Sequence, residues 1–518
     1  MKPVIKAPKG QGELACDPPL GQLASQLALG RLGDHQLDPF AVQLSKQARK
    51  DFCSYLGQYN YPADPEIPWV GTGHQPELFH PGVWAKNFIA GGMAKALSAI
   101  SLHVVVDTDC PHGKGIRLPD MGLPEHPRKA PLCSFSATLQ DNPWLSLLVE
   151  QEAIKRFSNS LRQWSTNNQF PPLFDTWLRK SLEDGWPREG SPVWKWFQKG
   201  RSGLELEWGL KQPPVPMSAI CFFPSYCRLV ARLIREREKS RLAYNAALNS
   251  FRKYHQVHAA GRPVPFLEEK DGWCEIPLWL GTDHFSRRER VWVKQAGGDY
   301  ILSPNRVTEE WRCPEASLED GLAALNGRLW PRALFTTLYL RGFVFDWFVH
   351  GIGGALYDQV TGEWAERFLN LKLRPMVATS LTLRLPMPTA RSSPELYRAS
   401  FHRQHHLEWN PDRLVKEPAP TGVAGWVSEL QRLRRESPSP GRESKNRFRR
   451  MRQLISRLRD YVSPEIAAGW NNVDFLRLFA SEQSVVASRE YAYILHSHSA
   501  LQKYLQPLLE LRQAAASV

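Results

Sequence analysis

Residues 71–87 read GTGHQPELFHPGVWAKN and bring glycines, two histidines and a lysine into one short segment. A short apolar run precedes the segment and a helix is predicted after it, so backbone N–H groups should lie at the positive end of a helix dipole, where anions bind. His74 and His80 can donate hydrogen bonds to phosphate oxygens, and Lys86 adds a full charge. Neither the dinucleotide-binding glycine pattern nor the P-loop pattern is present, so the predicted anion site depends on position and residue type. The alternative is that Thr72 and His74 only satisfy the hydrogen bonds of a turn.

Two acidic residues, Asp107 and Asp109, end the next predicted strand in VVVDTDCPHGKG. The carboxyl ends of parallel strands meet at one edge of a sheet, so we expect both carboxylates to lie near His74. There they could bind an amine, a ribose hydroxyl or Mg²⁺. A helix cap or an Asx turn is an equally simple interpretation. The neighbouring cysteine and histidines fit no known spacing of metal ligands, and we predict no metal site.

A second glycine-rich turn, HGIGGALYDQ, falls between two predicted helices. Gly351 can end the first helix, while Gly353 and Gly354 let a ligand approach the backbone at the start of the second. A plain corner between two helices is the alternative. Arg332, predicted to open a strand in PRALFTT, and Arg384, predicted to end one in SLTLRLP, are candidate clamps for a carboxylate or phosphate. Either arginine can instead form a surface ion pair.

The elements that must position these residues alternate between strand and helix, which is typical of α/β proteins. IPWV predicts a buried strand, PGVWAKNFIAGGMAKALSAI a helix with Pro81 near its start, and LHVVVDTD a second buried strand. This unit of about 40 residues implies parallel strands and a right-handed crossover. Farther along we predict a β-hairpin within PFLEEKDGWCEIPLWLGTDHFSRRERVWV, strands in PRALFTTLYL and RPMVATSLTLRLP, and two helices broken at the glycines in RGFVFDWFVHGIGGALYDQVTGEWAERFL.

We expect a parallel-sheet core interrupted by a helical insertion and followed by a helical segment. The predicted parts are the first part of the core (1–125), the helical insertion (126–214), the second part of the core with the hairpin (215–395), a basic helical coiled-coil segment (396–462) and a return to the core (463–518). In the last part, SREYAYILHS is interpreted as a returning strand.

In the basic segment, apolar residues recur at spacings of three and four, namely Phe448, Met451, Ile455, Leu458 and Val462. This is a coiled-coil seam about two heptads long, which is too short to be stable alone. The partner helix comes either from the 396–436 region of the same chain or from a second subunit, in which case the protein is a homodimer.

Composition narrows the class of protein. The chain has 518 residues, of which 42% are hydrophobic and 23% charged, the balance of an ordinary globular protein. No stretch reaches the ~18 apolar residues that a membrane span needs, and the first residues lack the apolar core of a signal peptide, so we expect a cytoplasmic protein without a membrane partner. The eight cysteines form no CxxC pair and are expected to be reduced.

The basic charge is local. Of a formal net charge of +14, the segment 432–459 carries +9, from eleven Lys or Arg against two Glu. A protein that binds nucleic acid along its whole surface would spread this charge further, so we expect small-molecule substrates rather than a nucleic-acid partner.

The segment TGHQPELFHPGVWAKNFIAGGMAKAL resembles the loop and helix that open the bacillithiol biosynthesis cysteine-adding enzymes (BshC, cysteine ligases). The order that follows is also similar: acidic residues after a strand, WPRALFTTLYL, HGIGGALYDQ, RPMVATSLTLRL and a coiled-coil segment. The resemblance implies a Rossmann-like core akin to nucleotidyltransferases, a coiled coil that dimerises, and ligation of cysteine to the amino group of glucosaminyl malate. It assigns the nucleotide or substrate loop to Thr72, Gly73, His74 and Gln75, with Lys86 on the helix. The cofactor stays open, with ATP or another nucleotide as the candidate.

A ligase of this kind activates a carboxylate and then accepts an amine. The loop at His74 and the charge of Lys86 would neutralise a phosphate or acyl-adenylate, while Asp107 or Asp109 orients the amine or a metal ion. The substrate-binding set is Thr72, Gly73, Gln75, His80, Arg332, Gly351, Gly353, Gly354 and Arg384. Two other functions fit the sequence: a nucleotidyltransferase-like enzyme with another small substrate, and a non-enzymatic RNA-binding protein that uses the segment 432–459.

Overall fold

A computed structural model describes residues 5–28, 39–113, 115–120, 130, 132–134, 142–168, 171–258, 264–281, 287–387, 394–436 and 442–511. The chain forms two compact units. The first comprises Met1–Leu118, Leu132–Leu385 and Arg489–Val518, and the second comprises Pro119–Pro131 and Pro386–Ser488.

The strands, in chain order, are β1 (Leu14–Asp17), β2 (Trp69–His74), β3 (Ile100–Val105), β4 (Gly115–Arg117), β5 (Leu132–Ser134), β6 (Pro214–Pro216), β7 (Glu269–Lys270), β8 (Trp273–Gly281), β9 (Arg288–Ala296), β10 (Asp299–Ser303), β11 (Trp311–Pro314), β12 (Leu329–Pro331), β13 (Trp347–Gly351) and β14 (Met376–Leu381). The helices are α1 (Leu20–Ala28), α2 (Pro39–Gly57), α3 (Pro81–Leu97), α4 (Gln151–Asn167), α5 (Phe174–Ser181), α6 (Val193–Glu207), α7 (Met217–Ile220), α8 (Pro224–Arg235), α9 (Arg237–His255), α10 (Leu318–Ala323), α11 (Ala333–Tyr339), α12 (Ile352–Leu369), α13 (Pro394–Trp409), α14 (Thr421–Arg435), α15 (Arg442–Tyr461), α16 (Ser463–Val486) and α17 (His498–Leu505).

The main sheet of the first unit has the order β1-β14-β13-β2-β3-β6. Strands β14, β13, β2, β3 and β6 are parallel, and β1 is antiparallel at the edge. The predicted unit of β2, α3 and β3 is confirmed, and the protein is a mixed α/β protein. Counted along the chain, the five parallel strands have the spatial order 3-2-1-4-5, so the connections leave the neighbouring strands β2 and β13 in opposite directions.

Close packing fixes the centre of this sheet. Trp69 and Val70 of β2 and all residues of β3 are buried. At Gly71, a Cβ atom would lie 2.4 Å from the ring of Phe345, so only glycine lets this ring pack against the strand. Phe345 in turn packs near Phe348 at the start of β13. Buried aromatic rings therefore hold β2 and β13 side by side.

A second, antiparallel sheet has the order β11-β10-β9-β8-β12, with β7 paired to β8. The predicted hairpin is confirmed, since β8 and β9 pair antiparallel; the turn residues 282–286 lie outside the described residues. Helices α8 and α9 occupy the stretch 224–255 and are separated at Glu236, which ends α8 and precedes α9. The segment predicted as a helical insertion holds α4, α5 and α6, and β6 at its end pairs with β3.

Three predicted elements are wrong. The stretch PRALFTTLYL forms the helix α11, with Arg332 as its N-cap, and the strand β12 ends just before it. RGFVFDWFVHG forms a π-helical turn (Leu340–Val344) and then strand β13, so only one helix, α12, follows the glycines. The run of aromatic and branched residues fits a strand that has parallel neighbours on both sides, which helical periodicity alone does not detect. SREYAYILHS forms a 3₁₀ turn (Tyr493–Leu495) rather than a strand.

The second unit contains the helices α13 to α16. Helix α15 packs against α14 through a small core of Val423, Leu430, Leu433, Leu454 and Leu458. Helix α14, from the 396–436 region of the same chain, thus covers Leu454 and Leu458 of the predicted seam, while Phe448 is 62% exposed and lies outside this core. Helix α16 groups with the second unit, so the return to the first unit, expected from residue 463, comes at Arg489.

Candidate functional site

A cavity of about 530 Å³ lies in the first unit, at the carboxyl ends of β2 and β13. The connections from these two strands run in opposite directions, and this is the position at which open α/β sheets bind ligands. Its lining includes residues of β2, the first turns of α3 and α12, and Trp279 and Pro331 of the second sheet. Among the described residues, four basic side chains line the cavity, namely Lys86, Arg288, Arg332 and Arg489. Two acidic side chains, Asp109 and Glu490, also line it. The basic excess favours an anionic ligand.

The first turn of α12 faces this cavity. Gly351 ends β13 and is the N-cap of the helix, and Ile352, Gly353 and Gly354 line the cavity wall. Gly351 has no side chain with which to cap the helix, and the first N–H groups of a helix have no partners within it. A Cβ atom at Gly353 would meet nothing within 4 Å, so this backbone is open to the cavity. The glycines therefore lie at the start of one helix, α12. They do not separate two helices as predicted.

Helix α3 begins at the same cavity, but its start is already capped. The N–H of Gly82 donates to Nδ1 of His80 at 3.1 Å, and Pro81 occupies the first helical position. Burial, followed by the charge of Arg489, lowers the pKa of His80 to about 3. His80 is therefore a neutral cap whose Nε2, 3.4 Å from Glu490, remains as its donor.

Lys86 places its amine inside the cavity. Its Nζ donates to the carbonyl oxygen of Gly73 at 2.8 Å, and the residue is only 2% exposed. Burial, with a contribution from the charge of Arg201, lowers the pKa of Lys86 to about 7. The amine is thus close to half protonated near neutral pH, and an anion in the cavity would favour the charged form.

The histidine of the opening motif, His74, lies at the end of β2 and lines the cavity. Its Nδ1 lies 3.0 Å from the carbonyl oxygen of Gln75, so Nδ1 carries the proton in the neutral ring. Burial and then the charge of Lys86 lower the pKa of His74 well below its ordinary value. His74 is therefore neutral at pH 7 and offers Nε2 as an acceptor.

The two aspartates of the predicted acidic pair lie in different surroundings. Asp109 lines the cavity, where it accepts hydrogen bonds from Gln75 Nε2 at 2.8 Å and from Arg288. Asp107 does not line it; this carboxylate accepts the backbone N–H of Ser218 at 2.9 Å and the Ser218 hydroxyl. Burial raises the pKa of Asp107 to about 6, even though the bonds from Ser218 lower it. Only Asp109 is placed to contact a ligand in the cavity.

Two other predicted residues have their hydrogen-bond partners within the protein, outside the cavity. Thr72 is buried, and its hydroxyl donates to the carbonyl oxygen of Val349 at 2.8 Å, which ties β2 to β13. Arg384 lies beyond β14, outside the cavity lining, and donates to the carbonyl oxygen of Lys9 at 2.9 Å.

Arg332 lines the cavity, but its guanidinium is paired with Glu275. Its guanidinium donates to Glu275 Oε1 at 2.8 Å and to the carbonyl oxygen of Leu278 at 3.0 Å. It also lies 4.2 Å from the ring centroid of Trp279, and Arg288 lies 5.0 Å from the same ring. Arg332 therefore fixes the wall of the second sheet rather than presenting a free charge.

Sequence reasoning missed Arg489, His350, Arg288 and Trp279, which all line the cavity. Arg489 donates to the hydroxyls of Ser380 at 2.5 Å and Thr382 at 2.9 Å, far away in sequence. No local pattern marks such a contact. His350 lies inside the motif HGIGGALYDQ. Its position at the end of a strand would have identified it as a cavity residue, but the segment was predicted to be helical.

No protein-family model matches this chain, and no curated protein matches it. Within the described ranges, no group of three or more His, Cys, Asp or Glu side chains is arranged to hold a metal ion. None of the helices described is both long and apolar enough to cross a membrane.

Proposed function

We propose that the protein is an enzyme that binds a phosphate-bearing small molecule, ATP or another nucleotide, in the cavity at the ends of β2 and β13. The observation that carries this proposal is the uncapped start of α12 beside Lys86, on the edge where the strand connections diverge. The spatial order 3-2-1-4-5 of the parallel strands supports a Rossmann-like core.

The reaction that we propose is the ligation of cysteine to an amino-sugar acceptor of the glucosaminyl malate type. The resemblance of the loop 71–87 supports this choice. In this reaction, the N–H groups of α12 and the Lys86 amine would stabilise charge on an acyl-adenylate or phosphate. Asp109 would orient the incoming amine, since a carboxylate at the cavity wall accepts hydrogen bonds from an ammonium group.

A ligand screen by thermal melting tests the proposal. We expect ATP, cysteine or an amino sugar to raise the melting temperature of the full chain, because a ligand that binds only the folded state stabilises it. Lys86→Met should lose the shift with ATP, whereas Lys50→Met, a change at an exposed lysine of α2, should keep it. A wild-type protein whose melting temperature no ligand in the screen changes would contradict the proposal.

The same cavity also fits a nucleotidyltransferase-like enzyme with a different small substrate. The screen separates the two: a shift with a nucleotide but with neither cysteine nor an amino sugar favours the second reaction. RNA binding through residues 432–459 has less support, because arginines of this segment are engaged within the second unit. Arg450 pairs with Glu429 at 2.7 Å, and Arg459 donates to the carbonyl oxygen of Glu408 at 2.6 Å.

A homodimer through the segment 396–462 remains part of the proposal. Since α14 covers the Leu454 and Leu458 side of α15, the dimer would use another face. Exposed apolar side chains such as Phe448 and Trp409 are candidates for that face.

A further inference from the structure

A buried chain of charged groups leads from the protein interior to the cavity. Arg341 contacts Asp358 Oδ2, and Nε2 of His350 lies 3.2 Å from the same oxygen. The side chain of Asp358 is fully buried, while that of His350 is 10% exposed and lines the cavity. These groups come from the π-helical turn, α12 and β13, so three elements fix one imidazole.

The two nitrogens of His350 have different surroundings. Nε2 lies 3.2 Å from a carboxylate oxygen without an aligned hydrogen bond, and this negative charge favours the proton on Nε2 in the neutral ring, which leaves Nδ1 as the acceptor. Nδ1 lies beside the first turn of α12, where a Cβ atom on Gly354 would come within 2.8 Å of it. The absence of a side chain at Gly354 is what leaves room for the ring at the cavity wall.

We propose that His350 is the proton acceptor for the amine that attacks in this cavity, and that Asp358 is a positioning residue that holds its tautomer and orientation. This inference rests on the proposed function, an amine ligation. The lone pair of the neutral amine forms the C–N bond to the carbonyl carbon of an acyl-adenylate, and the nitrogen, which becomes positively charged in this step, loses one proton to Nδ1. The nucleoside phosphate leaves with the electron pair of the broken C–O bond. The imidazolium that forms is stabilised by the Asp358 carboxylate.

The charges around His350 agree with this role. Burial lowers the pKa of His350, against the opposing effect of Asp358, so the ring is neutral and can accept a proton near pH 7. Burial would raise the pKa of Asp358, but Arg341 and His350 outweigh it and the pKa is lowered, so the carboxylate stays charged. The charges of Arg341 and Lys86 also lower the pKa of His350.

Turnover of ATP, cysteine and amino sugar by the full chain provides the first test. His350→Gln should lower kcat by about 100-fold or more, the usual contribution of general-base catalysis, while KM and the ATP-induced melting shift stay near the wild-type values. His258→Gln, at an exposed histidine, is the control. Asp358→Asn should also lower kcat and should move the acidic limb of the pH–rate profile to lower pH, since the carboxylate no longer raises the pKa of His350.

Chemical modification provides a second test that needs no substrate turnover. Diethyl pyrocarbonate acylates accessible, unprotonated imidazole nitrogens, and peptide mass mapping should show His350 modified in the wild type and protected by ATP. A His350→Gln variant with wild-type kcat, or a His350 that stays unmodified while exposed His258 reacts, would overturn this inference alone. A wild-type protein that shows no ATP shift, with His350 still reactive, would overturn the proposed function instead.

Discussion

At the scale of single residues, burial decides which side chains around the sheet edge are charged. Lys86 and Asp107 are both buried, and in each case burial favours the neutral form. For Lys86 this makes the charge in the cavity responsive to a ligand and to pH. For Asp107 it means that the folded state holds a proton more tightly than the unfolded chain does.

The affinity for an anion should therefore depend on pH through Lys86. With a pKa of about 7, its amine loses charge as the pH rises from 6 to 9, so binding of sulfate should weaken, by roughly tenfold for one lost charge-assisted hydrogen bond. Lys86→Arg should remove this dependence because a guanidinium keeps its proton. Thermal melts with sulfate at each pH measure this, and a wild-type affinity that is constant from pH 6 to 9 would contradict the assigned role.

Asp107 gives a prediction for stability. Its pKa rises from 3.8 to about 6 on folding, so between these values the folded state binds more protons and the free energy of unfolding falls as the pH rises. Asp107→Asn should lack this loss, and its stability relative to wild type should increase by about 2 kcal/mol between pH 4 and pH 7. Denaturant unfolding at the two pH values checks the difference; an unchanged difference would place the carboxylate in a more solvated environment.

At the scale of elements, the start of α12 serves both the fold and the cavity. Its neighbouring glycines have different surroundings, since a side chain at Gly353 would enter open space and one at Gly354 would meet the His350 ring. The pair therefore separates the effect of helix propensity from the effect of local packing.

Alanine at each position should give opposite results. Gly353→Ala should raise the free energy of unfolding by up to about 1 kcal/mol, because alanine favours the helix, but should weaken sulfate binding where its methyl group faces the cavity. Gly354→Ala should lower stability because the His350 ring must move. Chemical unfolding and sulfate titration of both variants test this, and equal effects at the two sites would argue against the geometry described.

Sequence patterns predicted the elements that have a local signature. The apolar runs of β2 and β3 and Pro81 at the start of α3 were sufficient for the first parallel unit. Strand β13 was missed because its residues 347–351 continue an apolar run from the π-helical turn, and only the neighbours β2 and β14 make it a strand. Arg489 could not be predicted as a cavity residue, since its contacts to Ser380 of β14 and to Thr382, just after β14, exist only in the folded chain.

At the scale of the whole molecule, the two units have separate cores. The cavity is lined by residues of the first unit, and the helices α14 and α15 enclose a core of their own in the second. Damage to the small core should therefore affect stability without changing the anion site.

Leu458→Ala should lower the unfolding free energy of the second unit by about 2–5 kcal/mol, the usual cost of a cavity at a buried leucine. Gln453→Ala, a change at an exposed position of the same helix, is the control and should cost little. Calorimetry should show a lower first transition for Leu458→Ala, with sulfate affinity unchanged in both variants. Loss of sulfate binding in Leu458→Ala would show that the two cores are coupled.

Arg489 follows more than a hundred residues after the β14 hydroxyl that it contacts, and it lies in the segment that rejoins the first unit. During translation, β2, β13 and α12 are synthesised before this arginine. The complete set of basic groups around the cavity is therefore present only after the ribosome has passed residue 489. We expect a nascent chain arrested before this point to hold an anion more weakly than the finished protein.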